Sequence, residues 1–174
     1  MTYGQALYTL AKEENVEKQI LTQMDMLNQA FDREPAFLRL LGAPNLPKAE
    51  RCAILDDSFR DQVHIYLLNF LKILTERGYA KLFGDCCQAY RDQYNADNGI
   101  LPVQAVTAVP LTEAQHARLA EKLAKLTGKT VELTNRVDPS VLGGVRLDYD
   151  GKRVDGTVQS RLDSIRDLLK NTVL

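Results

Sequence analysis

The sequence predicts an α+β fold in which a bundle of six short helices, residues 1–98, precedes a small α+β domain, residues 99–174. Before Gly99 the apolar residues recur at intervals of three and four, which is the helical period. After Gly99 they alternate in part with polar residues, which is typical of strands. Asp150-Gly151 lies between two alternating runs, and this dipeptide favours the type I′ turn of a β-hairpin. The two periods therefore predict two domains.

Turn and cap residues divide the first part into helices. Asn15 is predicted to cap the second helix, Pro35 to stop it or begin the third, and Gly42 to end the third. Pro47 suits the first position of the fourth helix, and Gly78 closes the fifth. The predicted helices are 3–14, 16–31, 35–41, 47–59, 63–74 and 79–95. Such short connections favour antiparallel packing of neighbouring helices.

The fifth predicted helix, from Val63 to Leu74, is apolar nearly all round. Such a helix either forms the centre of a bundle or keeps one face for a partner. The first helix carries an apolar stripe of Tyr3, Leu7 and Leu10 with small residues beside it. The same spacing serves core burial and helix-in-groove recognition. From the residues alone core packing is favoured, and a groove for a partner helix is the alternative.

The second part begins with a predicted strand at residues 100–109. Thr112 and Gln115 form a capping-box pattern at the start of a helix that Gly128 closes. A half-buried strand at 131–137 follows, and another at 145–149 leads into the hairpin. Asp155 is predicted to cap a last amphipathic helix, whose inward residues are Val158, Leu162, Ile165 and Leu169.

The composition is that of a globular protein, with 45% hydrophobic and 26% charged residues. A net charge of −1 supplies no positive field to attract phosphate backbones, which argues against nucleic-acid binding. No segment approaches the roughly 18 apolar residues of a membrane helix. The helical pattern begins directly after Met1-Thr2 without the layout of a signal peptide, so we expect a protein that a bacterium makes and uses in its cytoplasm.

Candidate reactive residues are few, and we expect no catalytic residue, metal site or cofactor. Cys86 and Cys87 form a vicinal pair, but Cys86 also fits the buried face of a helix. His64 and His116 belong to different predicted domains, and neither has a metal-ligand neighbour at helical spacing. The Gly143-Gly144 pair lacks the remaining residues of a nucleotide-binding loop and is interpreted as backbone geometry. A small thiol-dependent enzyme remains an alternative.

A signature in the second part carries a family resemblance. The run from Val137 to Leu147 reads Val-Asp-Pro-Ser-Val-Leu-Gly-Gly-Val-Arg-Leu, and Asp-Gly-Thr-Val follows at 155–158. It resembles the C-terminal signature of the ATP synthase delta subunit family, whose mitochondrial counterpart is the oligomycin-sensitivity-conferring protein. Weaker matches lie at residues 3–8 and 69–78, so the resemblance spans nearly the whole chain. The signature residues are Val137, Asp138, Val141, Gly143, Gly144, Val145, Asp155, Gly156 and Arg161.

The resemblance implies a non-catalytic stator subunit without a cofactor, on the cytoplasmic face of the bacterial plasma membrane. Its expected partners are the N-terminal helix of the alpha subunit, which the helical bundle binds, and the b subunits of the peripheral stalk, which the signature region binds. Tyr3, Ala6 and Ile73 match the family's groove positions. Residues that share those helix faces are Leu7, Phe70 and Arg77. A helical adaptor unrelated to the synthase is the other alternative.

One position departs from the family pattern. Gly4 replaces the common alanine, and glycine within a helix costs about 0.5–1 kcal/mol relative to alanine. The departure therefore predicts a first turn that frays until the partner binds.

Overall fold

The computed structural model describes residues 3–43, 46–141 and 143–156, and in these ranges the chain forms seven α-helices and four strands. It divides into two compact units, Met1–Tyr94 and Asn95–Leu174. The first unit contains α1 to α5 and most of α6, and the second contains α7 and the sheet. The elements are α1 Tyr3–Glu13, α2 Glu17–Arg33, α3 Pro35–Leu41, α4 Lys48–Phe59, α5 Ile65–Glu76, a 3₁₀ turn Ala80–Leu82, α6 Phe83–Asp97, β1 Ile100–Thr107, α7 Glu113–Thr127, β2 Thr130–Val137, β3 Val145–Tyr149 and β4 Lys152–Asp155.

The first unit is held by one apolar core to which all six helices contribute. The apolar spacing of the second helix predicts Val16, Ile20, Met24, Leu27 and Phe31 on one face; the last four are buried in α2, and Val16 is half-buried just before it. The ring of Phe31 meets those of Phe37, Phe59 and Phe83 at centroid distances of 5.3–6.2 Å. Aromatic rings each bury a large apolar area, so this cluster ties α2, α3, α4 and α6 together.

Asn15 corrects one prediction. It does not cap α2, whose N-cap residue is Val16 and has no side-chain cap hydrogen bond. Asn15 instead has a positive φ of 57° and closes the end of α1, where its N–H donates to the Lys12 carbonyl and the Val16 N–H donates to the Ala11 carbonyl. This pair of bonds is a Schellman motif, and asparagine tolerates the left-handed backbone that the motif requires.

The other predicted helix ends agree with the structure to within one or two residues, except at the start of the sixth helix. Gly78 has φ of 75° just after α5, and Gly99 has φ of 62° between α6 and β1. Pro47 is the N-cap of α4 and not its first helical residue. The sixth helix begins at Phe83, later than predicted, because the chain first makes the 3₁₀ turn.

The second unit is a four-stranded sheet in the order β2-β1-β3-β4. β1 and β2 run parallel with α7 as the crossover, and β3 pairs antiparallel with both β1 and β4. The capping box of Thr112 and Gln115 is formed as predicted, and Gly128 ends α7 with φ of 68°. Leu123 packs on alternate β1 residues and on β2; the buried residues of this core are Leu101, Val103, Ala105, Leu123 and Leu133.

The β3–β4 hairpin confirms the Asp-Gly prediction. Asp150 and Gly151 have φ of 48° and 68°, and a type I′ turn requires positive φ at both central residues. Asp155 is the last residue of β4 and faces Arg146 across the strand pair. The helix that Asp155 is predicted to cap, including Arg161, lies outside the described residues.

Candidate helix-binding groove

α1 and α5 line a groove of about 480 Å³ within the first unit. This volume falls within the range of about 300–1,000 Å³ that is common for ligand-binding pockets. The lining is apolar or aromatic except for one amide side chain. The lining residues are Tyr3, Ala6, Leu7, Leu10, Tyr66, Asn69, Phe70 and Ile73.

Each helix supplies one ridge of side chains to the groove. The residues of α1 lie at positions i, i+3, i+4 and i+7, and those of α5 repeat the same spacing. In each ridge one residue is buried and forms the base, namely Leu7 in α1 and Phe70 in α5. Leu10 is 40% exposed and Ile73 is 45% exposed, so both present apolar surface to the outside. Matched ridges of this kind fit the apolar face of a third helix.

The two helices run in opposite directions along the groove. The Tyr3 ring, at the start of α1, lies 6.0 Å from the Tyr79 ring, which follows the end of α5. At the opposite end of the groove Leu10 lines the wall with Tyr66, which belongs to the first turn of α5. Ala6 and Asn69 therefore occupy inner positions of their ridges.

The start of α5 is fixed by hydrogen bonds. His64 is the N-cap residue, and its Nδ1 accepts a hydrogen bond from the Tyr66 N–H at 3.4 Å. The His64 N–H donates to Gln23 Oε1 at 2.8 Å, which ties this turn to α2. His64 thus has a structural role at the helix end that positions Tyr66 in the groove.

The side of α1 that faces away from the groove packs closely on α6. A Cβ built on Gly4 would overlap the carbonyl oxygen of Cys86 and would lie 3.2 Å from the Ala89 Cβ. One turn on, the Tyr8 ring meets the Tyr90 ring edge-on at 5.3 Å. Gly4 therefore has a packing function that the family comparison with alanine did not reveal. The frayed first turn stays a prediction.

Five of the six groove residues predicted from the sequence line this one groove, namely Tyr3, Ala6, Leu7, Phe70 and Ile73. Arg77 is not among the lining residues; it is the exposed C-cap residue of α5. Leu10, Tyr66 and Asn69 were not predicted as groove residues. Extending each predicted ridge by its period of three and four residues would have found all three.

Residues 137–141 and 143–147 of the signature cover the end of β2, the described part of the connection that follows it, and the first residues of β3. Asp138 Oδ1 accepts hydrogen bonds from the Ser140 N–H at 3.0 Å and from the Ser140 hydroxyl at 2.6 Å. These bonds hold the pKa of Asp138 below its usual value. Val141 is buried, Val137 is exposed, and Gly144 has φ of 87°. The turn is thus held by local hydrogen bonds and one buried side chain.

Val145 of the signature also lines a second cavity, of about 280 Å³, beside α7. The other apolar lining residues are Leu111 and Leu119, and the cations Arg118 and Lys122 lie on the same helix face. Gly143 precedes this strand, and the Gly156 N–H donates to the Val145 carbonyl at 3.1 Å. A partly apolar surface flanked by positive charge therefore adjoins the signature.

The cysteines lack the properties of reactive thiols. Burial raises the pKa of the Cys87 thiol to about 12 and also raises the pKa of Cys86 and of Cys52. The thiolate is the nucleophile, so a raised pKa suppresses reactivity at neutral pH. His116 is also engaged, because its Nε2 lies 2.9 Å from the Leu133 carbonyl oxygen.

Within the described residues no helix is long and apolar enough to cross a membrane. In the same ranges no three His, Cys, Asp or Glu side chains come together in a way that could hold a metal ion.

An open apolar groove between two helices is typical of proteins that bind the apolar face of another helix. Comparison of the sequence with protein families identifies which one. The profile of the ATP synthase delta (OSCP) subunit matches residues 1–169, so the chain belongs to this family. The family is a structural stator component of the F-type ATP synthase and has no catalytic role. This result confirms the resemblance seen in the signature.

Curated relatives support the assignment. The ATP synthase subunit delta of Alkaliphilus oremlandii is 30% identical over 172 residues, which cover 99% of this chain and 96% of the relative. That of Lactobacillus johnsonii is 33% identical over 168 residues, which cover 96% and 92% of the two chains. Among solved structures, a chain of the Toxoplasma gondii mitochondrial ATP synthase hexamer superposes with a TM-score of 0.76 at 18% identity. The superposition covers 96% of this chain and 94% of the Toxoplasma gondii chain. At this sequence identity the match shows a shared fold.

Proposed function

We propose that the α1–α5 groove binds the N-terminal helix of the alpha subunit and thereby fastens this stator subunit to the catalytic head. The six helices of residues 1–98 act as one bundle that presents the groove, and residues 99–174 bind the b subunits of the peripheral stalk. The subunit then resists the torque of the rotor, so that rotation changes the nucleotide sites and does not turn the head.

The apolar groove between α1 and α5 is the observation that carries the proposal. Its two ridges repeat the i, i+3, i+4, i+7 spacing with which an amphipathic helix is recognised. Exposed Ile73 and Leu10 gain burial when a partner covers them, at about 25 cal/mol for each Å² of apolar surface removed from water. Leu7 and Phe70, which form the base of the groove, are already ordered by the core, so their side chains lose little conformational entropy when a partner binds.

The stalk contact is proposed for the signature region and the neighbouring α7 face. Val145, Leu111 and Leu119 supply apolar contact, and Arg118 and Lys122 suit a partner that carries acidic residues beside its apolar stripe. Membership of the complex brings the chain to the membrane indirectly, and we propose the cytoplasmic face of the bacterial plasma membrane as its location.

Calorimetric titration of the full chain with a peptide from the alpha-subunit N-terminus tests the groove. We expect saturable binding, and we expect Ile73→Arg to weaken it at least tenfold because the charge must lose water to enter an apolar interface. Arg77→Ala is the matched control on α5, since Arg77 does not line the groove. Absence of binding by the wild-type chain, or equal weakening by both variants, would refute the groove assignment and favour an unrelated adaptor.

Co-purification tests the stalk contact. The full chain is expected to retain the b subunits, and Arg118→Glu combined with Lys122→Glu is expected to reduce that retention while the alpha peptide still binds. Retention equal to that of the wild type would place the stalk contact elsewhere on the chain.

A further inference from the structure

We infer that Asn69 sets the register of the helix bound in the groove, by selecting a partner residue whose side chain forms a hydrogen bond. The inference rests on the proposed function, because it concerns the helix that occupies the same groove. It adds a specificity-determining residue that neither the signature nor the apolar pattern indicated.

Asn69 is chemically different from the rest of the groove. Among the eight lining residues it has the one side-chain amide, and it is exposed. Its neighbours along the α5 ridge are Tyr66 three residues before, Phe70 directly after and Ile73 four residues after. A bound helix therefore meets the two donors and the acceptor of one amide among side chains that are otherwise aliphatic or aromatic, with the hydroxyls of Tyr3 and Tyr66 as the other side-chain polar groups of the lining.

Asn69 also lies where a bound helix would meet its amide. It is an inner residue of the α5 ridge, so a helix that fills the groove covers it. Ala6 is an inner residue of the opposing α1 ridge and is the smallest side chain in the lining. A small side chain lets a partner backbone approach closely, so the partner residue that faces Asn69 is expected to be short and polar, such as serine, threonine or asparagine.

A buried amide without partners is unfavourable, so the registers of the bound helix differ in stability. In the matched register a polar partner residue satisfies the Asn69 amide. A shift by one turn places an apolar residue over Asn69 and leaves its donors and acceptor unpaired. A single asparagine in an apolar helix seam fixes register in coiled coils by the same mechanism. Asn69 thus reduces the number of binding modes at some cost in maximal affinity.

The test is a double-mutant cycle with the full chain. Wild type and Asn69→Leu are titrated with the alpha-subunit N-terminal peptide and with a set of peptides in which each polar residue on the binding face is replaced in turn by leucine. We expect one substituted peptide to bind wild type about tenfold more weakly and to recover on Asn69→Leu. Coupling of about tenfold between two side chains corresponds to about 1.4 kcal/mol.

Register is measured directly with a nitroxide label at one end of the peptide. On wild type the label is expected to broaden NMR signals at one end of the groove, near Tyr3 or near Leu10. On Asn69→Leu, the broadening is expected to extend by about one helical turn, roughly 5 Å, along the groove because shifted registers become populated. Tyr66→Phe is the matched control, since it removes a different polar group from the same ridge and is expected to leave a single register.

The outcomes separate this inference from the proposed function. If wild type binds the peptide but Asn69→Leu shows no coupling to any peptide position and keeps one register, the inference about Asn69 is wrong and the groove assignment stands. If wild type binds no alpha peptide, both are wrong. The thermal unfolding of Asn69→Leu is expected to match that of wild type because Asn69 is exposed, which shows that the variant is folded.

Discussion

The helices α1 and α5 each have a closed side and an open side. On the closed side α1 packs on α6 so tightly that Gly4 has no room for a Cβ, and α5 buries Leu67, Leu71 and Leu74. On the open side the same two helices leave a groove of about 480 Å³ with Leu10 and Ile73 partly exposed. One pair of helices thus contributes both to the core and to an open apolar groove, which we propose as the surface for a partner.

The difference explains why α5 is apolar nearly all round. A helix that only packs on a core needs one apolar stripe, whereas α5 needs a second for its open side. Apolar residues on the open side contribute little to folding, since most of their exposed area stays in water until a partner covers it. Substitutions on the two sides should therefore separate stability from binding.

The largest effect is expected from Leu71→Arg on the closed side. Leu71 is 3% exposed, so arginine at this position would bury a charge without a partner and remove a packed side chain. These two effects together cost more than about 5 kcal/mol, which is comparable with the whole stability of a small domain. We expect loss of the cooperative unfolding transition of the first unit, measured by circular dichroism.

Ile73→Arg is the control for this prediction because it makes the same charge two residues further along α5. Ile73 is 45% exposed, so its arginine can reach water, and we expect a change in unfolding free energy below about 1 kcal/mol. A similar loss of stability in both variants would show that α5 has no open side.

A smaller effect is expected from Gly4→Ala in α1. Alanine favours a helix over glycine by about 0.5–1 kcal/mol, so propensity alone predicts stabilisation. At this position the new Cβ meets the Cys86 carbonyl, and forcing the helices apart costs about 1–3 kcal/mol. We therefore expect net destabilisation, measured by urea unfolding.

Gly84→Ala in α6 is the matched control. A Cβ on Gly84 would meet Asn28 Oδ1 at 3.4 Å, which is an ordinary contact. We expect a gain of up to about 1 kcal/mol because the substitution reduces the entropy of the unfolded chain. Stabilisation by both substitutions would contradict the close α1–α6 contact.

Gly4 shows which kind of feature the sequence could predict and which it could not. Local signals were sufficient for the helical period before Gly99, for the Thr112 capping box and for the Asp150-Gly151 turn, because each depends on residues close in the chain. The need for glycine at position 4 could not be predicted, since it arises from a contact with Cys86, which is 82 residues away in the chain. Asn15 was assigned to the wrong helix end because asparagine favours both an N-cap and a left-handed C-terminal position.

The groove could also be predicted only in part, because local signals do not show how two helices pack against each other. The helical period predicted the apolar stripe of Tyr3, Leu7 and Leu10, whereas the groove positions Tyr3, Ala6 and Ile73 were implied by the family resemblance. Asn69 was missed because a polar residue within an apolar helix is ordinarily assigned to a solvated surface. Its spacing from Ile73 places it on the α5 ridge, but the packing of that ridge beside α1 is visible only in the structure.

The smallest expected effect is a loss of stability at alkaline pH through Cys87, which is buried in α6 with its Sγ at 4.0 Å from the Met24 carbonyl oxygen of α2. Burial raises the pKa of the Cys87 thiol from 9.0 to about 12, with Asp25 as a further cause, and burial also raises the pKa of Cys86. Because the folded-state pKa is raised, the contribution of the thiol to the free energy of unfolding is complete below the unfolded pKa of 9. It is lost as pH rises from 9 towards 12. Between its two pKa values one such group lowers the free energy of unfolding by about 1.4 kcal/mol per pH unit. Urea unfolding under reducing conditions should therefore show a loss of about 1 kcal/mol in this free energy between pH 8 and pH 10.

Cys87→Ala tests the assignment of that slope, because the variant has no thiol to ionise at this position. Its stability at pH 7 is expected to fall modestly through the loss of buried volume, while its slope between pH 9 and pH 10 becomes shallower than that of the wild type. Cys52→Ala is the comparison, since Cys52 is only partly buried and contributes less to the slope. If the Cys87 substitution leaves the alkaline slope unchanged, ionisation of this thiol does not oppose the folded state, and the contact between α6 and α2 is more accessible to water than the burial of Cys87 indicates.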